Sequence, residues 1–226
     1  DVESRKMKLN GHVARLALLF QVMKWATDSG DMQYIERDSV ESAIRMIDYY
    51  EEQIGENTKK YPLIRESIDY YIGLTENAIS YIVNTKNNIH KEISDTMVLS
   101  HNTLEKGLND PENIILDHKA RDVAEYIKWS FFNNNKNIFN ELDEYFKYNY
   151  YSFYGIQILF GRVLYPSFYF NIYDKIISNK IDEKELNIII SKNKEYERYL
   201  YDIYLYLSRY YALAVPEWIK KKGTNP

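Results

Sequence analysis

VLSHNTLEKGLNDPENIILDHKARDVAEYI, residues 98–127, decides how this chain is read. Short apolar runs lie in TMVLSH and ENIILDH, each bounded by polar residues, and they predict short buried strands. Between them stand His101, Asn102, Thr103, Asn109 and an Asp-Pro pair that predicts a turn. Asp117 closes the second run. Asp122 follows at the start of HKARDVAEYIKWSFF, which carries Val123, Ala124, Ile127 and Phe131 on one helical face. A polar loop rich in His, Asn and Asp, held between apolar elements, is a place for chemistry or for its remains.

Downstream the pattern is helical. IFNELDEYFKYNYY is amphipathic, and SFYGIQILFGRVLYPSFYFNIYDKII is almost continuously apolar, which predicts a buried central helix that Pro166 kinks or divides. Arg162 and Pro166 interrupt it, so it is not read as a membrane span. DEKELNIIISKN and KEYERYLYDIYLYLSRYYALAVPEWI follow; Pro216 is expected to end that last helix, and KKKGTNP to fray. Upstream, YPLIRESIDYYIGLTENAISYIVNT predicts a helix in which Gly73 marks a break or a close contact.

The first part of the chain differs in composition. It holds Ala14, Ala17, Ala26 and Ala43, and after about residue 57 Ile, Asn, Lys and Tyr dominate. EEQIGENTKKYP between them is polar, contains Gly55 and ends at Pro62, a linker signal. Domains are therefore expected over 1–57 and 58–226. GHVARLALLFQVMKWAT and RDSVESAIRMIDYYEEQ predict an αα-hairpin, the second helix opening on a capping-box-like Asp38 and Glu41, with Val40, Ala43, Ile44, Ile47 and Tyr50 on its apolar face. The shift in usage makes a fusion or a fragment a live reading.

Composition excludes several classes. The net charge of -4 gives no support to non-specific nucleic-acid binding. The absence of Cys removes disulfides, thiolate metal sites and Cys nucleophiles. No apolar run reaches the length of a membrane span, and no signal-peptide pattern opens the chain. A cytoplasmic location is expected. The Tyr residues are numerous, 23 in all, and the spacing of Tyr196, Tyr199, Tyr204 and Tyr211 suits helix packing; without a basic stripe they do not read as a base-stacking platform.

Two resemblances bear on function. YYIGLTENAISYIVNT, LDHKARDVAEYI, FYGIQILFGRVLYPSFYF and VPEWI together resemble the YutH/CotS group of spore-coat-associated proteins, over about residues 60–220. That resemblance implies the large lobe of an aminoglycoside-phosphotransferase-like kinase fold: mainly α, with one or two short strands, here preceded by the αα-hairpin. Residues 7–53 resemble the C-terminal helical end of a mobile-element helicase/primase-type family of unknown function, which implies a packing element.

Active kinase-like relatives carry a loop that reads approximately H-G-D-x-x-x-x-N, because phosphoryl transfer needs an Asp to orient the acceptor and an Asn and a second Asp to hold metal ions. Here His101 matches the His, Asn102 falls at the Gly, and Thr103 falls at the catalytic Asp. Leu108 falls at the metal Asn, with Asn109 one place late, and Asp117 matches the second metal Asp. The resemblance gives Asp122 the role of an Asp that holds the catalytic loop by hydrogen bonds. His101, Thr103 and Asp122 thus read as a vestigial catalytic loop, and Asp117 with Asn109 as a candidate metal pair. A Thr hydroxyl cannot accept a proton at neutral pH as a carboxylate does, and no Gly-rich strand-turn-strand or strand Lys precedes residue 60. A lone carboxylate is a poor site for a hard cation.

The resulting expectation is a non-catalytic, kinase-derived interaction or structural module. It needs no cofactor, and its partners are proteins, coat proteins among them. The alternatives are a small-molecule phosphotransferase using Mg-ATP, of aminoglycoside- or choline-kinase type, and a helical segment of a mobile-element replication protein.

Overall fold

The computed structural model describes residue 17 and residues 35–86, 97–102, 104, 110–209, 211–213 and 216–224. Thr103 and Asn109 lie outside the described residues, as does the first predicted helix apart from Ala17. The chain divides into compact units over Asp1–Arg65 and Glu66–Pro226. The described elements are α1 (Arg37–Lys60), α2 (Pro62–Lys86), β1 (Met97–His101), β2 (Ile114–His118), α3 (Ala120–Phe132), α4 (Ile138–Tyr148), α5 (Phe153–Leu164), α6 (Ser167–Ile177), α7 (Leu186–Ser191), α8 (Asn193–Ser208) and α9 (Glu217–Thr224). The protein is mainly α.

In the first unit the polar stretch read as a linker is helical. Its Glu, Gln and Lys residues are good helix formers, and one Gly costs only about 1 kcal/mol, so α1 runs through Gly55 to Lys60. Pro62 then opens α2, at the position where its missing N–H costs nothing. The capping box is not formed either: Glu41 accepts from Arg37 Nε at 2.7 Å, one turn back, and Asp38 Oδ1 accepts from Ser39 N at 2.9 Å. Ala43 is buried as expected, but Ile44 is exposed.

The core of the second unit sits between α3, α5 and α8. Ala120, Val123, Ala124 and Ile127 of α3 meet Ile156, Leu159, Phe160 and Val163 of α5, and Leu200, Ile203 and Leu207 of α8 complete the cluster. α5 buries nearly all its side chains, as its continuous apolar sequence requires. Ser152 caps it, its hydroxyl accepting from Gly155 N at 2.9 Å. Pro166 separates α5 from α6 as the sequence predicts. The close-contact glycine is Gly161: a Cβ there would run into Ile82 Cγ1 of α2. Gly73, for which a break or contact was expected, sits inside α2 with open space around it.

The C-terminal expectations need correction. α8 stops at Ser208, and Pro216 precedes α9 rather than ending the long helix. The stretch expected to fray is helical as far as Thr224.

The tyrosines of α8 work as packing residues with a polar tip. Tyr196 is buried, its ring edge-on to Phe131 and Phe168, and its hydroxyl donates to Val163 O at 2.9 Å. Tyr199 Oη donates to Ile127 O at 3.0 Å. Each ring fills core volume, and each hydroxyl supplies a donor to a main-chain carbonyl that water does not reach.

Candidate functional site

β1 and β2 form an antiparallel hairpin in which Val98 faces Asp117, Leu99 faces Leu116 and His101 faces Ile114. With a side-chain period of two, one face carries Ser100 inward, and the other leaves Met97, Leu99, Ile114 and Leu116 exposed. The strands are therefore half-buried, not buried throughout. Asn102 N donates to Asn113 O at 2.7 Å and continues the pairing past β1. Asn113 is itself buried, which its place in a polar loop sequence did not suggest.

α3 begins two residues after β2, so its first turn lies against the end of β1. His118 does the capping there: its Nδ1 accepts from Ala120 N at 3.0 Å. Lys119, at the cap position, offers no side-chain cap. The next two side chains grip the point where β1 ends. Asp122 Oδ1 accepts from His101 N at 3.0 Å, and Asp122 Oδ2 takes the His101 Nδ1 hydrogen at 2.8 Å. Because a carboxylate only accepts, this pair places the imidazole hydrogen on Nδ1. Arg121 Nε donates to His101 O at 2.9 Å, and Arg121 Nη2 donates to Asn102 O at 3.1 Å. Main chain and ring of His101 are both held from α3.

Asp117 is engaged separately. Its Oδ1 accepts from Arg162 Nη2 of α5 and, at 2.6 Å, from His118 N. Its Oδ2 accepts from Arg121 Nη1 at 3.1 Å. Burial alone would raise the Asp117 carboxyl, but the His118 N–H and the guanidiniums of Arg162 and Arg121 outweigh it and hold it below its ordinary value. The described residues contain no group of three or more His, Asp or Glu side chains placed to hold a metal ion.

The structure thus brings His101 and Asp122 into direct contact and links them to Asp117 through Arg121. The residues missed in the sequence are Arg121 and Arg162. Arg162 had a signal: it is the one charge inside FYGIQILFGRVL, and a charge in a buried helix needs a partner.

The sign of the Asp117 effect follows from linkage. Its folded pKa is depressed, so its stabilising contribution is present above the unfolded value, about 3.9, and is lost as pH falls through the folded value. Denaturant midpoints measured down an acid series should fall below about pH 4. Asp117→Asn should be less stable at neutral pH and show a shallower acid slope; an unchanged slope would remove Asp117 from the account.

Fold and site together define a class: a mainly helical protein in which a strand hairpin and the start of the helix after it bring together a His–Asp pair and an arginine-clamped carboxylate. The family described as "Spore coat putative kinase YutH" matches residues 45–203, and the chain belongs to it. It is 30% identical over 180 residues to the endospore coat-associated protein YutH of Bacillus subtilis (strain 168), covering 71% of this chain and 53% of that protein. The chain therefore spans about half the length of the curated relative it matches. No solved structure matches the chain. No described helix is long and apolar enough to cross a membrane.

Proposed function

We propose that the chain is a non-catalytic interaction module, derived from a kinase-like large lobe and associated with the spore coat through protein partners. The observation that carries this reading is the clamp on Asp117. A carboxylate that is to hold a divalent cation needs open oxygens, and here guanidiniums take both. Thr103 stands where a proton-accepting carboxylate would be needed. The name of the Bacillus subtilis relative supports the coat association. The family match begins in α1 and runs past the change in composition, which supports one continuous natural sequence from residue 45 onward.

Thermal unfolding with and without Mg-ATP tests the reading. A ligand at a hundredfold excess over its Kd stabilises the native state by about 2.7 kcal/mol, roughly 5–10 °C for a domain of this size. No shift is expected. A shift of that size overturns the proposal and favours the phosphotransferase reading, which the anchoring of His101 by Asp122 supports. Under that second reading Asp117→Asn abolishes transfer to a small-molecule hydroxyl.

A further inference from the structure

A cleft of about 680 Å³ lies between α4, the residues 149–151 that follow it, Ile156 of α5 and the C-terminal end of α8. Its volume falls in the range of ligand sites. One wall is polar. Asn140, Asp143, Glu144 and Lys147 stand at i, i+3, i+4 and i+7 of α4, a spacing that sets them on one helical face. Aromatic residues line much of the rest. Tyr206 among them is buried, but Tyr150 is 68% exposed and offers its ring to a ligand.

The polar groups are held in place from within the chain. Tyr206 Oη donates to Asp143 Oδ1 at 2.8 Å. Asn140 Nδ2 donates to Asn137 Oδ1 at 2.7 Å, and Asn149 Nδ2 donates to Tyr145 O at 3.0 Å. Lys147 Nζ is paired with Glu144. Lys119 Nζ donates to Tyr150 O and fixes the main chain beside the exposed ring. None of these bonds exhausts its group. Among the described residues nothing takes Asp143 Oδ2, or the second hydrogen and the oxygen of either amide. Each amide therefore offers a donor and an acceptor side by side. Groups already held in this way lose little freedom when a ligand binds.

Charge selects neither sign here. The carboxylates of Asp143 and Glu144 are balanced by the ammoniums of Lys147 and Lys119. What remains is a set of paired donors and acceptors beside an exposed aromatic ring. A saccharide is a neutral ligand that matches both. Each sugar hydroxyl donates and accepts, as a Ser hydroxyl does, and the C–H face of a pyranose packs on an aromatic ring as other apolar surface does.

We infer that this cleft binds a short neutral oligosaccharide, one sugar ring against Tyr150 and its hydroxyls on Asp143, Asn140 and Asn149. The inference is independent of the non-catalytic reading: the cleft uses no residue of the His101–Asp122 cluster, and the Mg-ATP test bears on that reading alone.

Calorimetric titration of the whole chain with cellotriose, maltotriose and N,N′-diacetylchitobiose tests this, with the glucosamine trimer and trigalacturonate as cationic and anionic counterparts. Saturable one-to-one binding of at least one neutral sugar, with a Kd of about 1 mM or below, is expected, and weaker binding of both charged trimers. Tyr150→Ala should weaken binding about tenfold and Asn140→Ala about threefold. Both residues are exposed, so neither change should lower the melting temperature. Tyr148→Ala, at a more exposed tyrosine outside the cleft, should leave affinity unchanged. The inference is overturned if none of the three neutral sugars binds at about 10 mM, if Tyr150→Ala and Asn140→Ala bind like the parent, or if Tyr148→Ala weakens binding as much as Tyr150→Ala. Tighter binding of a charged trimer also overturns it, in favour of a charged ligand.

Discussion

Lys128→Ala should lower stability by about 3–5 kcal/mol, the cost of breaking a buried ion pair from one side. Lys128 is only 2% exposed. Its ammonium donates to Glu125 Oε1 at 2.6 Å and Ser167 Oγ at 2.7 Å, and its third hydrogen is shared between the carbonyls of Arg162 and Tyr165, each at 3.2 Å. Those carbonyls lie at the C-terminal end of α5, where a helix leaves acceptors without partners and its dipole favours a cation. Burial pushes the Lys128 pKa down, and Glu125 opposes that shift. The network holds α3 to the turn between α5 and α6. Alanine would strand the Glu125 carboxylate and reopen the carbonyls together. Denaturant unfolding measures the loss. In the double variant Lys128→Met with Glu125→Gln the loss should be smaller than the sum of the single losses, because no charge is left unpaired. A loss under about 1 kcal/mol, the level of a surface pair, would mean that Lys128 is not the cap described.

Tyr196→Ala should cost about 3–5 kcal/mol, the range for removing a large buried aromatic side chain. Tyr196 packs against Phe131, Phe132 and Phe168, and its hydroxyl caps Val163 O, another carbonyl in the last turn of α5. Burial raises its pKa well above the ordinary value, so it stays a neutral donor. Tyr196→Phe keeps the ring and leaves Val163 O without its donor, which should cost about 1–3 kcal/mol. Thermal or denaturant unfolding of the two variants separates ring from hydroxyl. Equal losses would mean that the hydroxyl carries the whole effect, and a loss confined to Ala would mean that it carries none.

The end of α5 explains why parts of the protein were legible in advance and others were not. The helix itself is visible in FYGIQILFGRVL, and its end is visible in Pro166, because periodicity and a fixed φ are local properties. What satisfies that end is not local: Lys128 and Tyr196 are both distant in the chain from the carbonyls they reach. Lys128 reads in sequence as an ordinary polar residue of a helix, and only packing makes it buried. Residues 51–62, read as a linker, are largely helical for a local reason. One Gly and a run of polar helix formers do not break a helix unless something else competes for the backbone.

The hairpin makes the same division in the candidate site. Its short apolar runs, the turn between them and the polar loop are all set by residue type and spacing, as are His101, Asp117 and Asp122 on their respective elements. The amino-acid sequence by itself therefore determines a mainly helical chain with one short hairpin beside a helix start. Tertiary structure alone decides what those groups do. Arg162 comes from 45 residues away to neutralise Asp117, because α5 packs on α3, and no local pattern records which charge a buried helix will place beside a carboxylate. Packing of Phe139 and Phe146 on Tyr206 likewise sets α4 against the end of α8. Local periodicity specifies where helices form; the pairing of distant side chains follows only once their faces have found each other.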